Sequence, residues 1–200
     1  MGKTVVAAAL VAALRARGER VATVKPVLTG TDESPDAVWP PDDVLLGARV
    51  GRRFGPPVSP HLAAELDGAP IEPAELVTLA RDAAAGVDTV IVEGVGGLLV
   101  PITPGYLVRD YARELGLPVV VAARPGLGTI NHTLLTLEAA RAVALELRAV
   151  VLTPWPEAPS ALERSNRATI ERLGGVAVRT LARIERPDAT LLAAAGAALI

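Results

Sequence analysis

Gly2-Lys3-Thr4 forms the back half of a phosphate-binding loop, G-x-x-x-x-G-K-[ST]. In that pattern backbone amides and the lysine hold nucleotide phosphates while the hydroxyl reaches Mg²⁺. A Gly-Lys-Thr tripeptide recurs by chance, so its surroundings decide its weight. A stretch of strong helix formers, Thr4 to Arg17, follows at once and stops at Gly18. Gly2, Lys3 and Thr4 are therefore expected at a helix N-terminus, where about half a positive charge favours phosphate.

Lys3 and Lys25 are the only lysines in a chain otherwise based on arginine. Lys25 ends an apolar run in Val24-Lys25-Pro26-Val27, followed by Thr29-Gly30-Thr31. A lysine at the carboxyl end of a parallel strand points into the ligand crevice, whereas a merely solvated one belongs on a helix face. Glu93 ends Thr89-Val-Ile-Val-Glu-Gly94 in the same way. A carboxylate there can hold Mg²⁺, which prefers oxygen ligands and shares them with phosphates. A helix cap or surface acid is the plain alternative. Gly94-Val95-Gly96-Gly97 lets backbone approach a ligand and offer its amides, as a simple tight turn also would. Gly126 to His132 opens a helix, so Gly128, Thr129 and Asn131 are either a second anion site or a capped helix start. His61 suits a cap or a substrate contact, and His132 a buried hydrogen-bonding role. Two isolated histidines make a poor zinc site, and no Gly-x-Ser-x-Gly elbow supports a serine hydrolase.

The elements that must position these residues alternate along the chain. Strands are expected over Arg20 to Lys25, Thr89 to Glu93, Val119 to Ala122, Ala149 to Leu152 and Val176 to Arg179. Helices are expected over Asp43 to Val50, Leu62 to Leu66, Pro73 to Ala85, Leu107 to Leu115, Ile130 to Leu145 and Ala161 to Leu173. Thr29 to Asp36, Trp39 to Pro41 and the Pro-rich Thr153 to Pro159 read as loops. Short Val-rich strands alternating with helices mean an α/β fold, a mainly parallel sheet covered on both faces, in a single domain over 1–200.

Half of the residues are apolar, drawn from Ala, Val and Leu rather than aromatics. The net charge is −2 with both signs mixed, so no basic surface suggests nucleic acid and no polybasic tract suggests a membrane. A small-molecule partner follows. The absence of cysteine excludes disulfides, thiolate metal sites and a cysteine nucleophile, and fits the cytoplasm. Val5 to Leu14 is not read as a secretory signal, because Arg15, Arg17, Glu19 and Arg20 follow without a small-residue cleavage site. The run Leu191 to Ile200 is too short to span a bilayer.

Taken in order, GKT, VKPVLTGT, PPDDVLL, SPH, VEGVGGLLVP, GTINHTLLT and SNRATIERL resemble the dethiobiotin synthetase family, from Gly2 to about Ile184. The resemblance implies a three-layer P-loop NTPase fold. It also implies a homodimer that uses ATP, Mg²⁺ and CO₂ to close the ureido ring of 7,8-diaminononanoate in biotin biosynthesis. By that resemblance Lys3 and Lys25 are catalytic, and Gly2, Lys3, Thr4, Glu93 and Thr153 bind nucleotide. Thr4, Asp43 and Glu93 would hold Mg²⁺, with Asp42 the neighbouring alternative to Asp43. Thr29 and Gly94, Val95, Gly96 and Gly97 would contact the substrate, as would Gly128, Thr129 and Asn131 from the partner subunit.

The family often has an asparagine reading the base where this chain has Thr153-Pro154-Trp155, so adenine preference is left open. Members also begin with a strand and a Gly-Thr-x-x-x-x-Gly-Lys-Thr loop. The expectation is therefore that the first strand and the front of the loop are encoded upstream of Met1. Two rivals stand beside this reading: another ATP enzyme of the same fold, such as an amidating synthetase or partitioning-type ATPase, and a catalytically dead dimeric module.

Overall fold

Val-rich runs become parallel strands and Ala- and Leu-rich stretches become helices in the computed structural model. Residues 2–32, 47–185 and 188–200 are described. Chain order is α1 (Lys3–Ala16), β1 (Val21–Thr29), β2 (Arg49–Phe54), α2 (Pro60–Asp67), α3 (Pro73–Ala84), β3 (Thr89–Val92), β4 (Pro101–Thr103), β5 (Tyr106–Leu107) and α4 (Val108–Leu115). It continues with β6 (Val119–Ala123), α5 (Thr129–Arg141), β7 (Leu147–Trp155), α6 (Ala161–Gly174), β8 (Val178–Ala182) and α7 (Ala189–Gly196). The chain divides into two compact units, Gly18–Leu115 and Met1–Arg17 with Gly116–Ile200.

In the unit Gly18–Leu115 a parallel sheet has the order β2-β1-β3. Val24 on β1 packs against Ala80 and Ala83 of α3, and Val27, Phe54, Ala63, Leu76 and Tyr111 form the larger core beside it. With side chains alternating along a strand, Thr23 and Lys25 lie on the face opposite Val24. Pro26 is tolerated in the middle strand because pairing with β3 ends at Val24–Val92, and Gly51 of β2 sits across from it. A Cβ on Gly51 would stand 2.5 Å from the Pro26 carbonyl oxygen.

In the other unit the parallel order is β6-β7-β8. Val150 and Leu152 on β7 pack with Leu137 of α5 and Ile170 of α6. The alternate residue Thr153 faces the other way, against Gly2 at the start of α1. Helices thus cover both faces of this sheet. α7 lies on α1 so closely that a Cβ on Gly196 would stand 2.0 Å from the Ala9 carbonyl oxygen. Three-layer α/β architecture with parallel strands agrees with the expected fold class, and among the described residues no helix is long and apolar enough to cross a membrane.

Several boundaries differ from expectation. The helix expected over Asp43 to Val50 is overturned at its described end, where Arg49 and Val50 open β2. That strand carries Arg49, Arg52 and Arg53 on a sheet edge, a charged edge pattern that hides strand character. A β4–β5 hairpin turns at Pro104-Gly105, so Leu107 is strand and α4 begins one residue later. β7 continues through Thr153 to Trp155 where a loop was expected, and β1 runs on past Lys25 to Thr29. α7 was unforeseen; Asp188 caps it by accepting from the Leu191 amide at 2.8 Å.

Candidate functional site

The unit Gly18–Leu115 joins two of the expected residues directly. β1 and β3 run parallel with Val24 opposite Val92, and the Glu93 amide donates to the Val24 carbonyl at 2.9 Å. One residue on, Lys25 in the middle of β1 and Glu93 just past the carboxyl end of β3 stand side by side. The Lys25 ammonium donates to Glu93 Oε1 at 2.7 Å. Their side chains are only 10% and 3% exposed. A buried pair of this kind is held by geometry; removing one member strands the other charge in a poorly solvating interior.

Glu93 leads into the glycine loop. Val95 tucks into the core, while Gly96 takes a left-handed φ of 64° and a Cβ there would lie 2.8 Å from Val100 Cγ2. Gly96 is thus required by the turn and by close approach together. Gly97 is exposed and accepts from the Val100 amide. Thr29, half-buried, ends β1 beside Phe54 of β2. His61, the second residue of α2, shares a hydrogen bond of 3.0 Å with the Ser59 hydroxyl, a local contact at the helix start. It also lines a cavity of about 570 Å³ with Glu65, Ile71, Ile102 and Thr103. Asp43 and Asp42 lie outside the described residues.

In the other unit Gly2 is the N-cap of α1, with φ 81°, and Lys3 and Thr4 are its first helical residues. No acidic side chain belongs to the first turn of α1, whose amide dipoles favour an anion. Gly2 meets Thr153: a Cβ on Gly2 would stand 2.5 Å from Thr153 Cγ2, and Thr153 is buried. Two residues expected to border the nucleotide, far apart in sequence, therefore touch.

Gly128 caps α5 with φ 87°. The Thr129 hydroxyl is buried against Thr133 Oγ1 at 3.3 Å, and Asn131 is exposed. His132 is exposed as well, which corrects the buried role expected for it. Sequence reasoning passed over Asn166, whose buried amide donates to the carbonyls of Pro125 and Gly126 at 2.9 and 3.2 Å. It pins the loop that aims Gly128; an asparagine on the inner face of α6 was the available signal.

Among the described residues no cluster of three or more His, Cys, Asp or Glu forms. Mg²⁺ does not need one, because it takes one or two protein oxygens and completes its shell with phosphates and water. The Glu93 carboxylate is a hard, buried oxygen donor, with the Lys25 ammonium 2.7 Å from one of its two oxygens. Such a donor fits Mg²⁺.

Similarity to known proteins bears on this arrangement. A family model described as AAA domain matches residues 1–190. An "ATP-dependent dethiobiotin synthetase BioD" of Mycobacterium sp. (strain KMS) is 41% identical over 186 residues, covering 88% of this chain and 80% of that protein. Proteins of the same name from Rhodococcus erythropolis (strain PR4) and Anaeromyxobacter dehalogenans (strain 2CP-1) are 38% and 41% identical over 88% and 86% of this chain, and 80% of each relative. The crystal structure of the Pyrococcus furiosus cell division ATPase MinD superposes with a TM-score of 0.60 over 99% of this chain and 92% of its own. At 15% identity it shows the fold alone.

Proposed function

Because the chain belongs to the ATP-dependent dethiobiotin synthetase family, we propose how its own residues carry out that family's reaction. The reaction is the ATP-dependent formation of dethiobiotin in biotin biosynthesis. In the proposed course, one amine of 7,8-diaminononanoate captures CO₂ as a carbamate and gives up a proton. A carbamate oxygen then attacks the γ-phosphorus of ATP, releasing ADP and leaving a mixed anhydride. The second amine attacks the carbamoyl carbon, expels phosphate, gives up a proton and closes the ureido ring.

Each step develops or moves negative charge on oxygen, so positioned cations are the main requirement. Lys3 and the α1 amides would hold the phosphates, and Lys25 would meet the carbamate and the oxygens of the transferring phosphoryl group. Thr29 and the Gly94, Val95, Gly96 and Gly97 backbone would contact the substrate, while Gly2 and Thr153 would border the nucleotide. Mg²⁺, held by Glu93, the Thr4 hydroxyl and Asp43, would offset charge on the phosphate oxygens. Gly128, Thr129 and Asn131 of a second copy would receive the distal carboxylate, making the enzyme a homodimer. The two units would work as one ATPase domain in the cytoplasm.

The observation that carries these assignments is the buried Lys25–Glu93 pair, with Glu93 just past the carboxyl end of β3, the side of an open α/β sheet where ligands bind. The partitioning-type alternative has only a shared fold behind it. The test is incubation with diaminononanoate, bicarbonate and Mg-ATP, with dethiobiotin detected by mass. Product that disappears in Lys25→Met supports the assignment; undiminished product in that variant overturns it.

A further inference from the structure

In the pair between Lys25 and Glu93, the ammonium occupies one oxygen of the carboxylate assigned above to the metal. The separation is 2.7 Å, and the side chains are 10% and 3% exposed. Parting the two in a buried setting removes a counter-charge that the interior does not replace with water. A divalent cation on the same carboxylate would stand within a few ångströms of the ammonium, where repulsion between charges of one sign is strong. The carboxylate therefore cannot serve both at full strength. We propose that Lys25 and a divalent cation compete for Glu93, so that cation binding frees the Lys25 ammonium toward the substrate's developing anion. The inference rests on the reading of Glu93 as a cation ligand and adds an order: the lysine stays latched until the cation arrives. It gives the pair a role beyond charge neutralisation, since an empty site keeps its catalytic amine sequestered.

Lys3 and Lys25 being the only lysines, amine acylation of the full 200-residue chain can be read residue by residue by mass spectrometry. With sulfo-N-hydroxysuccinimide acetate and no nucleotide, Mg²⁺ is expected to raise the Lys25 acylation rate relative to Lys3. In Glu93→Gln, Lys25 should react fast with or without Mg²⁺. In Lys25→Met, Mn²⁺ binding followed by electron paramagnetic resonance should tighten about tenfold or more, a small share of the interaction between adjacent charges. Competition is reciprocal, so both effects are required. A Lys25 rate indifferent to Mg²⁺, or a folded Lys25→Met with unchanged Mn²⁺ affinity, overturns the inference. Should Lys25→Met not fold, the acylation rates of the unsubstituted chain decide. Glu93→Gln separates the two levels: if it loses Mn²⁺ while the other responses are flat, the metal reading stands and only competition fails. If it binds Mn²⁺ like the unsubstituted chain, the metal reading fails too.

Discussion

Lys25 and Glu93 each carry two duties, to the fold as a buried ion pair and to the reaction as charged groups, and substitutions can separate them. Lys25→Met removes the buried ammonium 2.7 Å from the Glu93 carboxylate, so urea unfolding should show a loss of about 3–5 kcal/mol. Replacing both, Lys25→Met with Glu93→Leu, should recover most of that stability, because an apolar pair of similar volume is often neutral. Catalysis should not recover. Steady-state kinetics should show kcat lower by about 10²–10³-fold or more in both variants, the loss typical of one preorganised charge-stabilising group. Gly2 is a second residue-scale case. Its φ of 81° and the 2.5 Å approach to Thr153 Cγ2 leave no room for a side chain. Gly2→Ala is expected to weaken ATP binding in calorimetry. Adding Thr153→Ser, which removes Cγ2, should restore part of it; no restoration would mean the left-handed backbone, not the contact, is limiting.

At the scale of elements, two contacts make local predictions. α7 crosses α1 where Gly196 has no side chain, with Ala9 O at 2.0 Å and Ala13 Cβ at 3.0 Å from the position a Cβ would take. Backbone cannot yield as a flexible side chain does, so Gly196→Ala should destabilise by at least the 1–3 kcal/mol usual for overpacking, about that much in urea unfolding. The start of β1 is tied to the turn before β3 by Arg20, which donates from its guanidinium and its amide to Asp88. Those hydrogen bonds hold the Asp88 carboxyl down at about 2, from an ordinary 3.8. A lowered carboxyl pKa adds stability that is complete above the unfolded value and is lost as pH falls through the folded one. The melting temperature of Asp88→Asn should therefore trail the unsubstituted chain slightly at neutral pH, and the gap should close between about pH 4 and pH 2. Both partners are solvent-exposed, so the gap is small and shrinks with added salt.

For the whole molecule the question is how many chains complete a site. Gly128 and Asn131 are exposed at the start of α5, and Leu127 beside them is 91% exposed. If a second copy supplies this loop, mixtures of Lys25→Met and Asn131→Ala chains, unfolded and refolded together, should regain activity that neither variant shows alone, since each hybrid holds one intact site. Sedimentation of the unsubstituted chain as a monomer, with no recovery on mixing, would remove the shared site. Asn166→Ala offers a control of position: the loop loses its two carbonyl contacts, so the carboxylate-bearing substrate should show a raised KM with kcat little changed.

What the sequence alone determined was local in origin. The helix after Gly2 follows from consecutive helix formers and a glycine that tolerates φ 81°; the strands holding Lys25 and leading into Glu93 follow from β-branched runs, although β1 continues through Pro26 to Thr29 rather than ending at Lys25. Each signal lies within a few neighbours of the residue concerned. Asp43 could be nominated in the same way, but it falls outside the described residues. The edge strand β2 was misread because three arginines masked its alternation, and only pairing with β1 made it a strand. Tertiary structure alone decided which nominated residues meet. The Lys25–Glu93 contact spans 68 positions and depends on the register that sets Val24 beside Val92; the Gly2–Thr153 approach depends on the N-cap of α1 reaching β7. Register and close approach are set by packing between distant segments, and no short stretch of sequence contains both partners.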